Sequence, residues 1–228
     1  MDTAFLSGIF LKLLTGLPLT LNLTVLSLLG GGMLALVLNL IRASRLGNAV
    51  ASTYVFVFRG TPLLIQIFMI YYGLASFGFV RGSVLWPFLR EPYWCGLLAL
   101  ALNDAAYTSE ILRGGLRAVP QGAVEAGRVS GMGRFLVLRR IVLPLALRQA
   151  LPAYSNEVIS MLKATALVST ITLLDVTGLA RAEVSATYRA VEIFLCAAVI
   201  YLALSLLVTR GAGWLERHLS PYKFGTPA

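Results

Sequence analysis

The chain is 228 residues long, 58% apolar and only 13% charged, where a soluble domain carries roughly 25% charged residues and about 45–50% apolar ones. This deficit of charge argues against a cytosolic enzyme, a disordered chain and a nucleic-acid binder. The formal charge of +9 suits the basic cytoplasmic loops of a membrane protein. Cys95 and Cys196 both lie in apolar stretches, so no disulfide framework is indicated. The composition is that of an all-α integral membrane protein.

Residues 13–41 form a charge-free run of 29, more than the roughly 20 needed to cross a bilayer. The run is too long, and its basic start at Lys12 too weak, for a cleavable signal peptide. A first span is expected at 17–41, with Gly30, Gly31 and Gly32 allowing close helix approach. A second, at 50–74, contains Arg59. A third, at 93–112, holds Asn103, Asp104 and Glu110. The stretch 113–151 is too polar to span and too patterned for a slack linker. In it Pro120 and Gly122 break the third helix. A short helix is expected at 123–130 with Glu125 in its first turn, ended by Gly131 and Gly133. Another is expected at 135–142, stopped near Pro144. A fourth span at 152–174 holds Glu157 and Lys163, and a fifth covers 190–209.

Five spans place the termini on opposite sides. Twelve basic residues fall after span one (Arg42, Arg45), between spans three and four, and after span five (Arg210, Arg217, Lys223), against five on the other side. The positive-inside rule then puts the N-terminus outside and the C-terminus in the cytoplasm. No inverted or parallel internal repeat of the secondary-transporter kind is visible. Five spans are thin for enclosing a pathway, so oligomerisation is expected. There is no G-x-x-x-x-G-K-[ST] phosphate loop. The sole histidine, His218, has no second metal ligand nearby, and no nucleophile–base pair is seen. The chain is expected neither to be an enzyme nor to bind a cofactor or metal of its own.

The loop carries a resemblance. Glu125-Ala126-Gly127, three residues, Gly131, nine residues, Ile141, one residue and Leu143-Pro144 resemble the EAA loop of bacterial ATP-binding cassette (ABC) importer permeases. The one departure is Gly127, where the family usually has alanine. Phe58-Arg59-Gly60-Thr61-Pro62 with Gln66 beyond, Ala106 to Ile111, Arg113-Gly114-Gly115 running to Pro120, and Lys163 to Leu167 are similar to the polar amino-acid uptake permeases. Pro152-Ala153-Tyr154-Ser155-Asn156-Glu157 is most similar to the second permease of histidine, arginine and octopine or nopaline systems. The resemblance implies a type I ABC importer permease fold in the bacterial inner membrane. It also implies a second permease subunit (a heterodimer, with a homodimer open), a periplasmic amino-acid-binding protein, and separate ATPase subunits that bind ATP and magnesium. Glu125, Ala126, Gly127 and Gly131 would be the residues that dock on the ATPase.

Ionisable groups inside a bilayer cost roughly 2.5–3.5 kcal/mol each on insertion scales, so each needs a partner or a task. Asn103, Tyr107 and Glu110 share one face of the third span, and Asp104 lies about 100° around it. On the fourth, Asn156, Ser160, Lys163 and Thr170 share a face with Glu157 beside it. These two faces can meet near mid-membrane. Given the resemblance, Asn103, Asp104, Tyr107, Glu157, Ser160 and Lys163 are candidate substrate residues. Asp104 and Glu157 would face a cationic amino acid or opine, and Lys163 its carboxylate. The alternative is that Lys163 pairs with Glu157 or Asp104 only to let the helices insert. Glu110 is expected to pair with Arg113 or Arg59. Tyr71, Tyr72, Trp86, Tyr93 and Trp94 suit an outer interfacial belt. The rival functions are an ATP-independent channel or exporter subunit, and a passive membrane anchor.

Overall fold

The computed structural model of the protein describes residues 3–219 and is all-helical there; Lys223 lies outside the described residues. Helix α1 (Thr3–Leu14) precedes α2 (Leu17–Ile41) across a two-residue turn. Pro18 sits in the first turn of α2, where its missing N–H costs nothing. Ser44 opens α3 (Arg45–Gly60) by accepting the Gly47 N–H at 3.0 Å. The chain then breaks. Thr61 is extended, at φ −112° and ψ 144°, as the residue before a proline prefers. Helix α4 (Leu63–Phe68), prolonged by a wide π turn at Met69–Gly73, leaves at 104° to α3. The expected second span is therefore not one rod but two helices meeting at a sharp corner.

Two short helices, α5 (Gly78–Arg81) and α6 (Trp86–Leu89), lead to α7 (Pro92–Arg117), which outruns its expected bounds at the carboxyl end. Helix α8 (Gln121–Val129) starts two residues before the expected 123, immediately after Pro120. Glu125 is thus mid-helix rather than in the first turn, and Gly122 lies inside α8 instead of breaking the chain. Helix α9 (Arg134–Val137) does not stop near Pro144. It widens into a π turn at Leu138–Val142 and continues as α10 (Leu143–Ala164). The π turn lets the chain enter α10 with Pro144 in its first turn, where no N–H is required. Pro152 lies inside α10, so the fourth helix begins well before the expected 152. It tightens to a 3₁₀ segment at Thr165–Ile171 and turns at Thr172, φ 69°. Asp175 then caps α11 (Val176–Thr187) by accepting the Gly178 N–H at 2.8 Å, and α12 (Ala190–Leu219) closes the fold, ten residues longer than expected.

Helix α7 is the axis, packed against α2 on one side and α10 on the other. Leu23, Ile67, Cys95, Leu100, Met161 and Val168 form the core between them. A second core joins α1, α11 and α12 through Leu13, Val176, Ala180, Ile193 and Ile200, fastened by a Lys12–Glu183 ion pair. Large apolar side chains also cover the outside: Leu40 is 74% exposed and Phe56 78%. A bundle apolar on both its inner and outer faces is built for lipid. Thr3–Ile41 and Ala190–His218 are each long and apolar enough to cross a membrane, as are the two bent pairs Arg45–Gly60 with Leu63–Gly73 and Arg134–Ile171 with Val176–Thr187.

Candidate translocation cleft and coupling loop

The corner between α3 and α4 creates the main polar cleft. In an unbroken helix the Phe58 carbonyl would accept the N–H of residue 62, which is proline and has none. Two side-chain amides supply the bond instead. Gln66 Nε2 donates to Phe58 O at 2.9 Å and to Thr61 O and Oγ1 at 3.1 and 2.8 Å. Asn103 Nδ2 donates to Phe58 O at 3.3 Å and to Gln66 Oε1 at 3.0 Å. The gap left by the turn is a cleft of about 500 Å³ lined by Arg59, Gly60 and Thr61 from the corner, Asn103 and Tyr107 from α7, and Glu157, Ser160 and Ala164 from α10. The Arg59 guanidinium lies 5.0 Å from the Tyr107 ring centroid, a cation–π arrangement. Glu157 is within electrostatic reach of Arg59. A second cavity of about 390 Å³ shares Arg59 and Tyr107 and extends past Glu110 to Gly115 and Ala153.

The fold thus brings Asn103, Tyr107, Glu157 and Ser160 together and leaves two expected residues out. Asp104 is fully buried in the seam with α2. Its Oδ1 accepts the Thr108 hydroxyl at 3.1 Å, and its other oxygen lies against Gly31. Lys163 is exposed, and among the described residues it pairs with neither Asp104 nor Glu157. Thr170 leaves the shared face because the helix has become 3₁₀ by then, with three residues per turn rather than 3.6. Glu110 binds Arg113 as expected, but its second partner is Arg42, at 2.8 Å, rather than Arg59. The sequence names Arg59 and Gln66 only as parts of the Phe58–Pro62 resemblance, with Arg59 also a candidate partner of Glu110, and places neither at the cleft. The signal for Gln66 was present: a donor four residues beyond a proline that orphans a carbonyl.

The loop after α7 is ordered by backbone chemistry. Gly131 adopts φ +80°. Its N–H reaches Arg128 O at 3.0 Å, and the next N–H, of Met132, reaches Gly127 O at 3.1 Å. This pair of bonds is the Schellman motif, which glycine accommodates without a Cβ penalty. Glu125, Ala126 and Gly131 are exposed, and Val129 on the same short helix is 89% exposed. Gly127 is not a surface residue. It is buried against its own loop, where an added Cβ would lie 2.5 Å from Ile141 Cδ1 and 3.5 Å from Val137 Cγ2. Its small size serves the packing of α8 on the π turn.

Apolar-surfaced helices around a charged cleft, with a short exposed helix held on a rigid loop, define a membrane permease. Residues 27–221 match the family of binding-protein-dependent transport system inner membrane components, and the chain belongs to that family. It is a transport subunit and not an enzyme; in such systems ATP hydrolysis belongs to a separate ATPase. The chain is 54% identical to the octopine transport system permease protein OccM of Rhizobium radiobacter, over 96% of this chain and 91% of that protein. It is 45% identical to the histidine/lysine/arginine/ornithine transport system permease protein HisM of Escherichia coli, over 85% of this chain and 83% of that one. A crystal structure of an amino acid ABC transporter with histidines superimposes with a TM-score of 0.84, at 35% identity, over 96% of this chain and 99% of its own.

Proposed function

We propose that the chain is the membrane subunit of an inner-membrane ABC importer, passing a basic amino acid or opine through the cleft at the α3–α4 corner. One observation carries this reading: the cleft holds a guanidinium, Arg59, and a carboxylate, Glu157, in electrostatic reach of each other. A zwitterionic substrate matches such a pair, its carboxylate to Arg59 and its cationic group to Glu157. The carboxyl end of α3 adds the negative pole of a helix to the same wall. Tyr107 and Ser160 offer hydroxyls for positioning. Asp104 and Lys163 are not assigned a substrate role.

The five spans would be α2, the bent α3–α4 pair, α7, α10 with its 3₁₀ extension, and α12. Helix α7 has 26 residues, about 39 Å, enough to cross despite its charges. The N-terminus would be periplasmic and the C-terminus cytoplasmic, which puts α8 on the ATPase side. Glu125, Ala126 and the residues around Gly131 would dock on ATPase subunits, which bind ATP and magnesium. A periplasmic binding protein would deliver substrate, and a second permease chain would complete the pathway, in a heterodimer. Uptake into proteoliposomes with and without the ATPase separates this from an ATP-independent channel. Within that assay, Glu157→Gln is expected to lower uptake of a cationic substrate by about 1–3 kcal/mol, roughly 5–150-fold, and that of a neutral one less. Equal small losses for both would remove Glu157 from the substrate path.

A further inference from the structure

We infer that Gln66 and Asn103 form an amide clamp that replaces the missing N–H of Pro62, holds the α3–α4 corner open, and so positions Arg59 on the cleft. The inference rests on the cleft being the substrate path. Both clamp residues are buried, Gln66 at 7% and Asn103 at 8% exposed. Gln66 commits its amide nitrogen to Phe58 and Thr61, and its oxygen to Asn103. Every bond ties one side of the corner to the other or to α7. A corner of 104° with an orphaned carbonyl in an apolar setting would otherwise leave an unsatisfied acceptor, which buried backbone rarely tolerates. Without the clamp, the Phe58 carbonyl loses its donors, Pro62 cannot replace them in a straight helix, and the corner loses its fixed angle. Arg59, the residue after the clamped carbonyl, then moves off Tyr107. Gln66 and Asn103 are positioning residues rather than substrate ligands, because their donors are already spent inside the protein.

The test uses the proline itself. In Gln66→Leu, the clamp donor is gone and Phe58 O is unpaired. Adding Pro62→Ala restores a backbone N–H to that carbonyl, but in a continuous helix instead of a corner. The assembled transporter is reconstituted in proteoliposomes with spin labels at Ser52→Cys and Ser76→Cys, in a Cys95→Ser, Cys196→Ser background. Gln66→Leu is expected to broaden the label distance distribution, to lower the melting temperature and to cut uptake at least tenfold. The double variant should recover the melting temperature while uptake stays low and the distance sharpens at the longer value of a continuous helix. Gln66→Met, which keeps the side-chain length but has no N–H to donate, should repeat the single-variant result should Gln66→Leu not assemble. Recovery of uptake together with stability in the double variant would overturn the inference, as would an unchanged distance distribution in Gln66→Leu and Gln66→Met. A distance that follows the clamp while uptake never changes would support the clamp and refute the cleft as the substrate path.

Discussion

Replacing Gly31 with alanine tests the seam on which the fold rests. A Cβ there would overlap Asp104 Oδ2 and lie 2.7 Å from Asp104 Cβ and 2.8 Å from the Ala101 carbonyl oxygen, where carbon contacts normally settle at about 3.5–4.0 Å. A side-chain oxygen can swing aside, but the Ala101 carbonyl is held in the backbone of α7. Helices α2 and α7 must therefore part by several tenths of an ångström along the main packing line of the molecule. Overpacking of this kind costs about 1–3 kcal/mol, while alanine returns up to about 1 kcal/mol of helix propensity. The net expectation is a loss of up to about 2 kcal/mol, a fall of up to roughly 8 °C in melting temperature for a chain of this size. Gly32→Ala is the control: no atom lies within 4 Å of its added Cβ, so propensity acts alone and stability holds or rises. The assay is the thermal melt of the purified permease complex. Equal melting temperatures for the two variants would refute the close approach of α2 to α7.

Asp104→Asn should leave the ratio of cationic to neutral uptake unchanged, because the side chain faces Gly31 and not the cleft; a loss confined to the cationic substrate would put Asp104 back on the path. Gly131→Ala forces a Cβ into the left-handed region at about 1–2 kcal/mol, and should weaken stimulation of the ATPase by the loaded binding protein. Gly131→Asn should be milder, since asparagine tolerates that conformation; the two are compared by coupled ATPase rates. Tyr107→Phe keeps the face beneath Arg59 but loses the positioning hydroxyl and should transport at a reduced rate, whereas Tyr107→Leu removes the face as well and should lose uptake, with initial rates as the measure.

What the sequence determines is what neighbours along the chain decide. The charge-free run at 13–41, the helix stop at Gly131 and the missing N–H of Pro62 are properties of a few adjacent residues, and each appears in the structure where local chemistry puts it. The Glu-Ala-Gly spacing likewise marks α8, apart from its exact start. Periodicity also places Asn103 and Asp104 about 100° apart on α7, but it cannot say which neighbour each direction meets. The tertiary structure gave the Asp104 side to α2, where Gly31 leaves room for a carboxyl, and the Asn103 side to the corner at Pro62. Lys163 follows the helical period onto a face that no described carboxylate covers. Gly127 reads as a docking residue until Ile141 is folded over it. Such assignments depend on contacts between residues tens of positions apart, set by the joint packing of α2, α7 and α10. No window of adjacent residues contains that information.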